Sequence, residues 1–132
     1  MIRPAPLLRF ALIADAAASG AMALMLAFGA GLLAPWLGLP ETLLRNAGLV
    51  LLPYAALVGF IASRAMMNKA LVWAVIVVNA VWVIDSVALL VGGWVSPTFL
   101  GTLFVAAQAI AVGVFAELQF VGLRRSESEV AA

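Results

Sequence analysis

Apolar residues come in four long runs, residues 10–34, 46–63, 70–91 and 98–121. Each approaches the about 20 residues that a helix needs to cross about 30 Å of hydrocarbon. The separators are short and differ in character. "APWLGLPE" brings Pro35 and Pro40 after the first run, "SRAMMNK" brings polar and basic residues after the second, and "GGWVSPT" makes a glycine-proline turn after the third. Such residues interrupt helices and favour turns. Connections this short force successive helices to run antiparallel. The pattern therefore predicts an all-α integral membrane four-helix bundle, up-down-up-down, formed by a single domain over residues 1–125. The polar stretch 126–132 is expected to be a flexible tail. Arg3 and Arg9 ahead of "ADAAASGA" resemble a secretory leader, but the apolar run continues to about Ala34. That is too long for a leader core and suits a retained span.

Composition strengthens this picture. Of 132 residues 67% are hydrophobic and 10% charged, with a mean hydropathy of +1.21. A soluble domain of this length buries too small a part of its surface to hide so much apolar area. Lipid is the expected solvent and the first partner. Cysteine and histidine are both absent, which excludes disulfides, thiolate chemistry, histidine-ligated haem or zinc, and an imidazole base. No glycine-rich phosphate loop or acidic metal cluster is present, so no catalytic residue, metal or cofactor is assigned and no enzyme is expected. The formal net charge of +1 offers no footprint for nucleic acid. The placement of charge is more informative. With four crossings, Arg3, Arg9, Arg64, Lys69, Arg124 and Arg125 fall on one side and only Arg45 on the other. The positive-inside rule then makes both termini cytoplasmic, with Trp36 and Trp94 at the outer interface and Trp73 at the inner one.

The polar residues within the runs are the candidates for chemistry. At about 100° per residue, Asn79, Trp82, Asp85 and Ser86 share an arc of about 120° on the third segment. An aspartate costs up to about 3 kcal/mol in mid-membrane, which the many Leu, Ile and Val of this segment offset at about 0.3–0.6 kcal/mol each. Asp85 still needs a partner. Arg45, at the same outer edge, is the expected one, giving an Arg45–Asp85 ion pair. Asp15 on the first segment is expected to face a helix contact, with Arg9, Arg64 or Lys69 as partners. It lies beside small residues spaced as Ser19, Ala23, Ala27 and Gly31, a stripe that suits close helix packing inside the bundle or across a homo-oligomer. Gln108 and Gln119 share a face of the fourth segment, and depth counting predicts a hydrogen bond between Asn79 and Gln108. Glu117, near the inner surface, is expected to reach headgroups or Arg124. Pro53 removes a backbone hydrogen bond beside Tyr54, whose hydroxyl wants a partner at mid-depth. Tyr54, Asn79, Trp82, Asp85 and Gln108 together are expected to line a polar pocket opening outward.

Intramembrane acids mark functional sites by default, yet polar side chains also hold small bundles together. Two classes of function therefore stand open. One is a transporter or small-ligand-binding bundle using Asp85 and Asp15. The other is a structural or accessory protein whose acids are internal glue. Across "LRNAGLVLLPYA" and "NAVWVIDSVALLVGGWVSPTFLG" the chain resembles small uncharacterised four-helix inner-membrane proteins of bacteria, which implies a multi-pass inner-membrane location. In size and in the acid of its first helix it is also similar to small multidrug resistance transporters. There a membrane-embedded first-helix glutamate binds cation or proton, and Asp15 would take that place.

Overall fold

The computed structural model describes the backbone of residues 1–131 and the side chains of residues 1–127. Four helices account for nearly all of it: α1 (Pro6–Leu37), α2 (Glu41–Ser63), α3 (Lys69–Val91) and α4 (Phe99–Ala131). Their limits follow from local chemistry. Pro6 opens α1, where a missing N–H costs nothing. Gly38, at φ 65°, closes α1 in the left-handed conformation with its N–H on the Ala34 carbonyl. Asn68 caps α3 by accepting from the Ala70 N–H at 2.9 Å. Thr98 serves two helices: its hydroxyl accepts from Gly101 N–H in the first turn of α4 at 3.0 Å and donates to the Trp36 carbonyl of α1 at 2.7 Å.

Each helix begins or ends beyond its apolar run, because backbone hydrogen bonding continues past the point where apolar side chains stop. α1 contains Pro35 and α2 runs on through Pro53, whose ring faces outward. α4 extends to Ala131, through the segment expected to be a polar tail; the side chains of residues 128–132 lie outside those described. At about 1.5 Å per residue, α4 is longer than about 30 Å of hydrocarbon requires.

α1 is the central staff. It packs along α2 on one side and α4 on the other, α3 packs on α4, and α2 barely meets α3. The result is a ring with one loose seam, between α2 and α3. Close crossings depend on glycines of the neighbouring helices. A Cβ on Gly48 of α2 would lie 2.5 Å from Ala27 N and 2.9 Å from Ala23 O. One on Gly101 of α4 would press into the Leu37 carbonyl, and one on Gly122 would lie 2.7 Å from the Leu8 Cα. The small-residue stripe of α1 is thus covered by α2 within the chain at Ala23 and Ala27.

The end carrying both termini is tied off. Ile2 and Met67 exchange backbone hydrogen bonds at 2.7 and 2.8 Å, both side chains buried. Ala5 N–H donates to the Ser126 hydroxyl at 2.8 Å, and Lys69 pairs with Glu127 at 3.0 Å. Arg9, Arg64, Lys69 and Arg124 accordingly gather at this end, and Arg45 lies at the other. Outside, the bundle is apolar: within the most apolar window of each helix only 17–28% of residues are buried. Phe28, Val91 and Phe99 are each nearly four-fifths exposed. All four helices are long and apolar enough to cross a membrane, and such a surface is compatible with lipid rather than water.

Candidate functional site

One polar side chain from each helix converges on a point inside the bundle. Asp15 of α1 is wholly buried. Its Oδ1 accepts from Ser19 Oγ, one turn along, at 2.9 Å. Its Oδ2 faces three helices at once: Tyr54 Oη of α2 at 2.8 Å, Asn79 Nδ2 of α3 at 3.0 Å and Gln119 Nε2 of α4 at 2.8 Å. The neighbours also bond to each other. Asn79 Nδ2 donates to Gln119 Oε1 at 2.9 Å, and Tyr54 Oη lies 2.7 Å from Asn79 Oδ1. The acid is held by neutral dipoles alone.

A second network sits further toward the Gly38 end. Trp82 Nε1 donates to Gln108 Oε1, and Gln108 Nε2 donates to Ser86 Oγ at 2.8 Å and to the Val105 carbonyl at 3.0 Å. Ser86 Oγ in turn donates to the Trp82 carbonyl at 2.8 Å. Between the two networks lies a cavity of about 340 Å³ bordered by Ser19, Tyr54, Asn79, Trp82 and Gln108, with apolar walls from all four helices. A second cavity of about 460 Å³ shares Met22, Trp82, Phe104 and Gln108 with the first and reaches Asp85 and Trp94. The two adjoin through these shared residues and are bordered by both α2 and α3, with mainly apolar walls and Ser19, Tyr54, Asn79 and Gln108 as the polar part of the first.

The structure places the sequence candidates as follows. Tyr54, Asn79, Trp82 and Gln108 line the first cavity, and Asp85 borders the second. Three expected pairings do not form. Arg45 binds Glu41, one turn along its own helix, at 2.9 Å instead of Asp85. Asp85 is exposed and has no hydrogen-bond or ion-pair partner among the described residues. A short helical reach within α2 competes successfully against a long one across the loose seam. Asp15 is not met by Arg9, Arg64 or Lys69. Arg9 donates to the Ala62 carbonyl and, at 2.9 Å, to that of Arg64, carbonyls freed where α2 ends. Arg64 stacks over Phe60 at 5.4 Å, and Lys69 holds Glu127. Finally, Asn79 bonds to Gln119 rather than Gln108. Because α4 continues to Ala131, Gln119 lies about 18 Å inside that end and Asn79 about 15 Å inside its own, at about 1.5 Å per residue. Glu117 is exposed, and Arg124 lies over Phe120 at 5.7 Å.

Sequence reasoning gave Gln119 and Ser19 too little weight. Ser19 stands one helical turn from Asp15, a spacing that brings the two side chains together. Gln119 needed the true end of α4, which apolarity alone does not mark. No known family, curated protein or solved structure matches this chain.

Proposed function

We propose that the chain is a multi-pass inner-membrane protein with both termini in the cytoplasm that binds, and by binding carries, a small amphiphilic ligand, and that it is not an enzyme. One observation carries the reading: Tyr54 and Asn79, both hydrogen-bonded to the buried Asp15 carboxyl that has no cation beside it, line a ligand-sized cavity. Ligand sites are typically about 300–1,000 Å³, mainly apolar, with a few convergent polar groups. Asp15, through Tyr54 and Asn79, supplies the head-group end, Trp82 and Gln108 the middle, and Asp85 the rim. An apolar body with a cationic or hydrogen-bonding head fits that gradient. The gathering of basic residues at the terminal end supports the cytoplasmic orientation.

Trp82 borders both cavities and reports occupancy. Tetraphenylphosphonium added to the detergent-purified protein is expected to quench tryptophan emission saturably and to release protons. Both responses should be lost in Asp15→Asn, and the quench in Trp82→Phe. Non-saturable quenching that survives Asp15→Asn would defeat the reading.

A structural role is the second reading, favoured by one fact: among the described residues no buried side-chain polar atom lacks a partner. In that case Asp15→Asn mainly unfolds the bundle and no probe binds at saturable sites. A homo-oligomer is compatible with either role.

A further inference from the structure

The first cavity opens on the flank of the bundle. Its lining includes Val50 of α2 and Val78 of α3, and these two side chains are also 61% and 47% exposed, so cavity wall and outer surface meet at the α2–α3 seam. Val50 lies nine residues past Glu41 and Val78 nine past Lys69, each about 14 Å along its helix at about 1.5 Å per residue. The two helices start from opposite ends of the bundle, so the opening straddles its middle. Beside it lies the Tyr54–Asn79 contact at 2.7 Å, the only side-chain hydrogen bond between α2 and α3 among the described residues. Small residues, Ala18 and Ser19 of α1 with Ala107 and Ala111 of α4, hollow the wall behind the opening. The polar groups on that wall have their donors engaged already. Ser19 and Tyr54 donate to Asp15, Asn79 to Asp15 and Gln119, Trp82 to Gln108, and Gln108 to Ser86 and the Val105 carbonyl.

We propose that one acyl chain of a bilayer phospholipid enters between Val50 and Val78 and occupies this cavity. The inference rests on the reading of the chain as a multi-pass membrane protein, and it deepens the carrier reading by naming the hydrocarbon that any ligand must displace. An opening midway along helices that span about 30 Å of hydrocarbon faces lipid tails, not water. The largely apolar wall gives water too few partners to enter. Leaving the space empty forfeits dispersion contacts on every side. A lipid tail restores those contacts, and because each donor on the wall is engaged within the protein, hydrocarbon against it strands none. The length also fits. On α4 the wall runs from Phe104 to Phe115, about 16 Å at about 1.5 Å per residue. One leaflet contributes half of the bilayer's hydrocarbon, about 15 Å.

Photo-crosslinking of the full chain in phosphatidylcholine vesicles tests it, with a fraction of the lipid carrying a diazirine midway along one acyl chain. Adducts are mapped by mass spectrometry after irradiation. They are expected at Met22 of α1 and Leu51 of α2, which line the cavity and are half-buried and buried, as well as at Ile110, which is exposed on the outside of α4. Enlarging both exposed rim residues, Val50→Phe with Val78→Phe, is expected to abolish the adducts at Met22 and Leu51 and to leave those at Ile110 unchanged, with the circular dichroism of the unaltered chain. Adducts confined to outward residues such as Ile110 in the unaltered chain, or adducts at Met22 that survive the double substitution, overturn the proposal. Adducts at Met22 in a protein that binds no tetraphenylphosphonium leave this inference standing and remove the carrier reading. Saturable tetraphenylphosphonium binding without such adducts does the reverse.

Discussion

Asp15 and Asp85 have the same side chain, and both lie close to the cavities, Asp85 lining one and Asp15 behind Tyr54 and Asn79 of the other, yet their surroundings are opposite. Around Asp15 four helices converge, the terminal end is strapped by Ile2 and Met67, and both carboxylate oxygens have hydrogen-bond partners. Around Asp85 the seam is open, the nearest basic residue has turned to Glu41, and the carboxyl is exposed to a groove edged by Trp94. The difference teaches that burial of an acid in such a bundle is decided by depth matching. Asp15, Tyr54, Asn79 and Gln119 lie at similar distances from one end of the molecule, so neutral donors from four helices meet there. At Asp85, on the helix that barely meets α2, no side chain among the described residues bonds to it.

The largest effect that would break this comparison is the removal of Asp15. Asp15→Ala leaves the donors of Ser19, Tyr54, Asn79 and Gln119 without their acceptor, and interhelical hydrogen bonds in membranes contribute about 0.6–1.7 kcal/mol each. A loss of about 2–4 kcal/mol is expected in detergent-induced unfolding followed by circular dichroism. Gly122→Ala comes next, because its new Cβ meets the Leu8 backbone at 2.7 Å; overpacking of this kind costs about 1–3 kcal/mol. Third, Asn79→Ala is expected to cost about 1–2 kcal/mol and Gln108→Ala about 1 kcal/mol, since the first removes bonds to three helices and the second to one. The smallest effects belong to the open half. Asp85→Ala should be neutral or slightly stabilising, because it removes a lone charge from an otherwise apolar stretch of α3 and no bond among the described residues. Arg45→Ala should change stability by less than about 0.5 kcal/mol, as an exposed pair on one helix contributes little. If Asp85→Ala proved as damaging as Asp15→Ala, the two halves would not differ as described.

Much of the architecture is legible from the order of residues because it is written in one dimension. Runs long enough to span lipid, broken by Pro35, Pro40, Gly92, Gly93 and Pro97, specify four antiparallel helices whatever their packing. The basic residues then segregate by the parity of the crossings alone. The candidate site was half legible. Angular position on one helix put Asn79, Trp82 and Asp85 on one face, since the helical period is fixed, and these residues border the two cavities. Partner choice was not legible. Arg45 had a nearer carboxylate in Glu41, Arg9 had nearer carbonyls at the end of α2, and Gln119 reached Asn79 because α4 outlasts its apolar run.

Hydrophobic spacing and helix-breaking residues thus determined the number, order and alternating direction of the helices, because the length of each apolar run and the shortness of each connection constrain the segments one at a time. Which helices press together was settled in three dimensions, where the absence of side chains at Gly48, Gly101 and Gly122 lets α2 and α4 both close on α1 and leaves α2 and α3 apart. That arrangement assigned one aspartate to a fully bonded interior and the other to an open groove, since a side chain's partners depend on relative depth and helix crossing, neither of which a single segment contains.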